Sequence, residues 1–371
     1  MIESEQTIFK NESVSAVFID KKDIPVCLHR FSDGISNINY LVQFLQQDKR
    51  PVVMTVYPES EKWPKIEKEY FTRSLIQDIK DIPIQKILTS GIIKNENGNN
   101  CAYLIKEYLD GSTLDKVFTL SSMIGLQKND WRSIILDLGL KIATLHESRL
   151  PVFGDIKNTQ IVSPNGEVSD SFLSWKKYYK AILERRFCEI NKQFSDKQIG
   201  EYKAKDIQTL LPSLYEVAAK NLESLDNVIC PRFVHNDINF LNILACQKEG
   251  VWCISGVLDF EAALSGDPDV DVVAIESQLH LSRYRDLFTE NIDYFRKSYQ
   301  SKRNITQDYR QKRIPYHISR SLSYFEAIFQ MNFKLIPSSS VNHFFMEKHF
   351  EILENLAKGK TLEDIGIYSL F

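Results

Sequence analysis

The side chains best suited to chemistry lie in His235-Asn236-Asp237-Ile238-Asn239-Phe240-Leu241-Asn242 and in Asp259-Phe260-Glu261. Carboxylates and amides at this spacing, Asp-x-x-x-x-Asn and then Asp-Phe, are the set that kinase-type phosphoryl transfer requires. One carboxylate handles the proton of an attacking hydroxyl. An amide oxygen and a second carboxylate hold magnesium on a triphosphate. Asp237 is the candidate for the first task, and Asn242 and Asp259 are the candidates for the second.

The elements that must position these residues are legible around them. Ile243-Leu244-Ala245-Cys246 reads as a strand, Gln247-Lys248-Glu249-Gly250 as a turn, and Val251 to Leu258 as the returning strand. Gly256 interrupts that strand and marks a candidate bulge. An antiparallel hairpin brings the chain back to where it began, so Asn242 and Asp259 meet at its open end. Magnesium takes oxygen ligands, usually one or two carboxylates beside phosphate oxygens and water. Asp237 then occupies the tight loop entering the hairpin, with His235 expected to brace the loop backbone or the Asp259 carboxylate. Any one of these residues alone is an ordinary turn residue. The order and spacing together carry the reading.

The chain continues Ala262-Ala263-Leu264-Ser265-Gly266-Asp267-Pro268-Asp269-Val270-Asp271. His-x-Asp-x-x-x-x-Asn, then Asp-Phe-Glu, then Gly-Asp-Pro-x-x-Asp resembles the aminoglycoside phosphotransferase family, which also takes in choline kinase-like and other small-molecule kinases. The pattern is close over about 40 residues. Asn236 stands where the family usually has glycine; asparagine is the next-best residue at positive φ. The resemblance implies an α+β fold of the two-lobed, protein kinase-like type. A small antiparallel-sheet lobe (residues 1–108) would bind nucleotide, and a mostly helical lobe (109–371) would carry catalysis and the acceptor. It further implies magnesium as cofactor and ATP or GTP as phosphoryl donor. Asp267 and Asp271 are expected to fasten the catalytic loop.

Read with that resemblance, upstream segments acquire roles. Pro25 to Arg30 and Asn39 to Leu45 read as strands around the turn Phe31-Ser32-Asp33-Gly34-Ile35-Ser36-Asn37. This resembles the family's nucleotide loop, with Gly34, Ser36 and Asn37 against the phosphates. Val52 to Tyr57 is a third strand, and the family places a lysine near its middle. Here that position is Thr55, which cannot supply positive charge. Lys62, Lys65 and Lys68 follow closely enough to be considered as substitutes. Glu69, on a helix expected over Ile66 to Ile79, is the candidate for the glutamate that holds the family's lysine. Leu104 to Leu114 resembles the interlobe hinge, where a purine would bond backbone groups at Glu107 and Leu109.

Composition bounds the rest. The 371 residues suffice for two lobes, and 43% apolar and 26% charged residues are ordinary for a globular chain. A net charge of −3 gives no sign of a nucleic-acid or membrane-surface partner. The six cysteines, at 27, 101, 188, 230, 246 and 253, form no Cys-x-x-Cys and read as reduced thiols of a cytoplasmic protein. No apolar run reaches membrane-spanning length. Trp131 to Glu147, Phe172 to Phe194 and Ile207 to Leu225 read as helices. His146 reads as a capping or core residue, and Trp175, Tyr178 and Tyr179 as core or an acceptor-facing wall. His280, Tyr316, His317, Tyr324 and Glu326 fall where the family builds acceptor pockets.

The preferred expectation is a phosphotransferase moving the γ-phosphoryl of ATP or GTP to a hydroxyl of a small molecule, aminoglycoside-type antibiotics being one acceptor class. The alternative is a nucleotide-binding regulatory protein with feeble or no transfer, motivated by Thr55. Intact Asp237, Asn242 and Asp259 favour the first.

Overall fold

In the computed structural model the described residues are 17–18, 25–31, 37–46, 48–57, 63–79, 81–95, 97–120, 125–157, 160–162, 174–193, 198–199, 202–281, 291–330, 341–367, 369 and 371. The N-terminal part is a five-stranded antiparallel sheet in the order β1-β2-β3-β5-β4. Its strands are β1 (Pro25–Arg30), β2 (Ile38–Phe44), β3 (Val52–Tyr57), β4 (Ile87–Lys94) and β5 (Asn100–Glu107). Helix α1 (Trp63–Ile76) packs on one face.

Alternation along the strands divides the sheet into two faces. Val42, Met54, Val56, Tyr103 and Ile105 lie on the face covered by Phe18. Tyr57, Ala102 and Leu104 lie on the other, against Ile66 of α1. The β3–β5 register pairs Val53 with Lys106 and Thr55 with Leu104. Thr55 and Lys106 therefore project from the α1 face as diagonal neighbours. That position explains why both are buried polar residues in strands that otherwise read as apolar.

The rest of the chain is mostly helical, as the resemblance implied. After β6 (Ser112–Thr113) come α2 (Leu114–Thr119) and the central helix α3 (Lys128–Leu145). The Asp130 carboxylate accepts the Gln127 N–H at 2.8 Å and starts α3. Strands β7 (Gly154–Lys157) and β8 (Gln160–Val162) precede α4 (Trp175–Gln193). The short pair β9 (Gln198–Ile199) and β10 (Tyr202–Lys203) leads into α5 (Ala204–Leu222). Then follow β11 (Arg232–Val234), β12 (Ile243–Lys248), β13 (Val251–Val257) and β14 (Leu264–Gly266). Helices α6 (Asp269–Leu281), α7 (Ile292–Gln300), α8 (Tyr309–Gln330) and α9 (Val341–Ala357) complete the chain.

Trp175 anchors this region from within the core. It is fully buried, its ring lies 5.3 Å from both Tyr178 and Tyr179, and its Nε1 donates to the Tyr316 hydroxyl at 2.7 Å. The aromatic cluster is thus packing, and no wall of a pocket. Among the described residues no helix is long and apolar enough to cross a membrane.

Candidate active site

The hairpin forms as its residues dictate. Strands β12 and β13 pair antiparallel, with Leu244 opposite Gly256 and Ala245 opposite Ile254, so Ser255 is the extra residue of a bulge beside Gly256. Glu249 (φ 50°) and Gly250 (φ 81°) make the tip, the two positive φ values of a type I′ turn. At the open end, Leu258 N–H donates to the Asn242 carbonyl at 2.8 Å. Asn242 and Asp259 are thereby neighbours, as expected from the spacing.

The loop between β11 and β12 holds Asp237. Its carboxylate accepts from Asn242 Nδ2 at 3.0 Å and from Asn239 Nδ2 at 3.3 Å. Asn236 adopts φ 64°, the left-handed conformation for which asparagine substitutes for glycine. Asp271, at the start of α6, fastens the loop: its two oxygens accept the N–H groups of His235 and Asn236, each at 2.7 Å. His146, the cap of α3, bonds the same carboxylate through Nε2 at 3.1 Å and the Tyr299 hydroxyl through Nδ1 at 2.8 Å. His235 braces the backbone and not Asp259. Its Nδ1 accepts the Asp237 N–H at 3.3 Å, which puts the proton on Nε2, 2.8 Å from the Leu258 carbonyl. Asp267 fastens α8, accepting from Tyr316 at 2.8 Å and facing Lys312 at 3.3 Å.

Burial raises the pKa of Asp237 above the usual carboxylate range. Asp259 is pushed to about 6, by burial first and then by the adjacent Glu261 charge. Desolvated carboxylates this close favour a cation between them. The donor set, two carboxylates and an amide whose Nδ2 faces Asp237 and whose Oδ1 is thus left for a ligand, suits a hard divalent ion. Among the described residues no three His, Cys, Asp or Glu side chains form a self-sufficient metal cage. Magnesium here would be shared with phosphate oxygens and water.

The charge that Thr55 lacks is present, from a residue the sequence reading passed over. Lys106 Nζ stands 2.7 Å from Glu69 Oε1. Glu69 is 3% exposed and also receives Arg73 at 3.0 Å and the Tyr57 hydroxyl at 3.1 Å. Burial alone would raise its pKa; Lys106 and Arg73 outweigh burial and hold the carboxyl at about 2. The Lys106 charge also acts on Asp259. Thr55 itself donates to Asn39 Oδ1 at 2.7 Å. Of the three lysines considered, Lys65 pairs with Glu261 at 3.1 Å, Lys68 is burdened by burial, and Lys62 lies outside the described residues. The signal for Lys106 was a charged residue in the middle of an apolar strand, Cys101 to Tyr108.

Helix α1 also reaches the Asp-Phe-Glu segment directly. Arg73 lies over the Phe260 ring at 5.6 Å, and Lys65 holds Glu261.

The nucleotide-side expectations divide. Gly34 and Ser36 lie outside the described residues. Asn37 stands just before β2, its Oδ1 buried without a hydrogen-bond partner. At the hinge, the Glu107 N–H donates to the Lys86 carbonyl and its own carbonyl accepts from Gln85 Nε2 at 3.0 Å. The backbone of Leu109 makes no backbone hydrogen bond among the described residues. Of the acceptor-side residues, Tyr316 and His317 are spent on Asp267 and Glu276, while the His280 side chain lies outside the described residues.

Comparison with known proteins identifies the family and the fold. The family model described as "Phosphotransferase enzyme family" matches residues 28–275, about two thirds of the chain. No curated protein matches the sequence. Among solved structures, the GDP and kanamycin complex of APH(2")-IIia is similar at 15% identity and a TM-score of 0.56, over 94% of this chain and 99% of that one. A microcompartment-associated aminopropanol kinase is similar at 15% identity and a TM-score of 0.54, over 93% and 94%. The macrolide 2'-phosphotransferase MphH from Brachybacterium faecium is similar at 12% identity and a TM-score of 0.54, over 92% and 98%. Identities this low speak to the fold.

Proposed function

The chain belongs to the phosphotransferase enzyme family, and from that premise we propose that it moves the γ-phosphoryl of ATP or GTP to a hydroxyl of a small molecule. The observation that carries the reading is one contiguous cluster: Asp237 bonded to Asn242, Asn242 tied to the residue before Asp259, and the Lys106–Glu69 pair beside them.

Asp237 orients the acceptor hydroxyl and takes its proton, at once or late. The acceptor oxygen forms the new bond to the γ-phosphorus as the bond to the β–γ bridging oxygen breaks, and the nucleoside diphosphate leaves. The transition state is loose, so position and charge do most of the work. A raised pKa brings the Asp237 carboxylate closer to a useful base. Asn242 and Asp259 hold magnesium, which when bound neutralises charge on the triphosphate. Lys106 supplies the phosphate-facing ammonium that Thr55 cannot, with Glu69 fixing its position. Asp271 and His235 keep the loop in place without touching substrate. The hinge backbone at Leu109 is the purine contact, since the Glu107 N–H and carbonyl expected to share it are engaged by Lys86 and Gln85, and Gly34, Ser36 and Asn37 are the phosphate loop.

The regulatory-protein alternative drew its force from Thr55. Lys106 removes that motive. Transfer from labelled ATP and GTP to a panel of hydroxylated acceptors tests the proposal, with Asp237→Asn as the control. Turnover should fall by about 10³ or more in that variant, the scale of losing a general base together with its positioning. Magnesium–nucleotide binding with no transfer to any acceptor, and an Asp237→Asn variant equal to wild type in every assay, would favour the alternative.

A further inference from the structure

Helix α8 carries a row of polar side chains through the core, and nearly all are committed to protein partners. Lys312 pairs with Asp269 at 2.5 Å, and Arg313 Nε lies 2.9 Å from Glu276. Tyr316 donates to Asp267, His317 bonds Glu276 at 2.9 Å, and Ser321 bonds His349 at 3.0 Å. Arg320 sits amid this row and differs. Among the described residues its guanidinium makes no hydrogen bond and no ion pair. It is partly exposed.

The charged groups around Arg320 define where it lies. Its charge acts most on Asp237 and next on Asp271 and Tyr179. His349 and His317, from α9 and α8, face it as well. Asp271 is saturated by two backbone N–H groups and His146. The Asp237 oxygens are engaged by Asn239 and Asn242 and do not contact Arg320 directly. A guanidinium with five donors thus stands near the proposed base with no partner among the described residues. Partial exposure lets water or an anion meet those donors, and an anion adds the attraction of opposite charge.

A second arginine repeats the pattern along the same α4–α8 interface. Nε and one terminal nitrogen of Arg186 are buried without hydrogen bonds, and the nearest carboxylate, Glu326, is 3.6 Å away. Arg186 and Arg320 both act on Tyr179 of α4. Burial and the Glu189 hydrogen bond raise the Glu326 pKa to about 7, so near neutrality it offers Arg186 only part of a charge.

We infer that Arg320 is an acceptor-binding residue and that the acceptor carries an anionic group, carboxylate or phosphate, beside the hydroxyl to be phosphorylated. The fork of Arg320 matches either anion in a bidentate manner. The same charge repels the ammonium groups of an aminoglycoside at the point where its hydroxyl would meet Asp237. The inference rests on the phosphotransferase reading and narrows its acceptor class.

The test compares acceptors that share hydroxyls and differ in charge. Gluconate and glucose 6-phosphate are the anionic probes, glucose the neutral one, and kanamycin and ethanolamine the cationic ones. The expected result is that an anionic probe exceeds glucose by about 100-fold in kcat/KM, the scale of a desolvated charged contact. Arg320→Gln should erase that advantage, chiefly through KM, and Arg320→Lys should keep part of it. A cooperative thermal melt checks that each variant is folded. Preference for kanamycin or ethanolamine, or an anion preference that survives Arg320→Gln, overturns the inference. If nucleotide binds but no probe is phosphorylated, calorimetric titration of the two anions onto the magnesium–ADP complex decides: no binding, or equal binding to Arg320→Gln, overturns it. Failure to bind magnesium–nucleotide at all would strike the phosphotransferase reading itself.

Discussion

Lys106→Met is the most informative perturbation, because methionine keeps the stem and volume and deletes only the charge. Two consequences can be sized. First, Glu69 loses the partner at 2.7 Å but keeps Arg73 at 3.0 Å and Tyr57 at 3.1 Å. Full orphaning of a buried charge costs ~3–5 kcal/mol, and retaining two partners places the loss nearer ~1–3 kcal/mol. Second, transfer loses a preorganised positive group, worth roughly 10²–10³ in rate by analogy with removing one charge-stabilising donor. The swap variant is the sharper test. Diagonal neighbours on adjacent strands stand ~7–8 Å apart, so a lysine at 55 and one at 106 can bring their ammonium groups to the same point. Thr55→Lys combined with Lys106→Met should therefore recover at least ~10-fold over Lys106→Met alone, if that donor term is what was lost. Thr55→Lys alone should lower activity, since it breaks the bond to Asn39 and crowds two ammonium groups against one carboxylate. Steady-state transfer of labelled phosphate, with urea melts alongside, measures all three. Wild-type turnover by Lys106→Met, or a gain from Thr55→Lys with Lys106 in place, would refute the assignment.

Asp271→Ala removes the acceptor of two N–H groups at 2.7 Å and one imidazole, so it should cost ~3–5 kcal/mol as for a broken buried charge, with a loss of turnover exceeding what the melt explains. Asp259 shows a pH-dependent cost in the metal-free protein. Its folded pKa, about 6, lies above its ordinary 3.8, so the folded state binds the proton more tightly. Stability is then gained as pH falls through about 6 towards 4, and is lost as pH rises through the same window. Asp259→Asn should stabilise the metal-free protein above that window by at most ~3 kcal/mol, less screening at the open cleft, and the difference should vanish below pH ~4. Comparative melts at pH 4 and 7.5 check it, and no difference at 7.5 would show that burial does not strain Asp259. Arg73→Gln should loosen both Glu69 and Phe260 and cost ~1–3 kcal/mol by urea titration, an effect absent if α1 and the Asp-Phe-Glu segment are independent.

Much of this site was legible because its determinants are local. Asp237, Asn242 and Asp259 are joined by one hairpin whose turn, bulge glycine and strand patterns are written in 26 consecutive positions, 237 to 262. The left-handed Asn236 is likewise a local matter of which side chains tolerate positive φ. The long helices followed from apolar spacing, with ends within a few residues. The short strands β6, β7, β8, β11 and β14 escaped, since two to four residues carry no period and gain their pairing from distant partners. Lys106 escaped for a related reason. Its partner Glu69 is far away in sequence, and only the β3–β5 register places Lys106 diagonally from Thr55. That Arg320 has no partner among the described residues is equally non-local, because it depends on which side chains the neighbouring helices bring to it.

The relocated lysine shows what the sheet does and does not constrain. Phosphate needs an ammonium at one point in space, and the strand that delivers it is free provided the face is right. Because strand side chains alternate with period two, only positions such as 53, 55, 104 and 106 point towards α1. Leu104 belongs to the apolar cluster with Ile66, while Thr55 and Lys106 are the buried polar positions on that face. Position 106 also adjoins the proposed purine contact, because the next residue, Glu107, begins the hinge. The Glu107 carbonyl is held there by Gln85 Nε2 at 3.0 Å. The proposed phosphate and purine contacts thus lie on and just after the end of β5. Substitution at 106 should therefore alter the ATP-to-GTP ratio along with the rate, whereas a lysine at 55 would affect the rate alone. A ratio unchanged in Lys106→Met would separate the two contacts and leave Lys106 with the phosphates only.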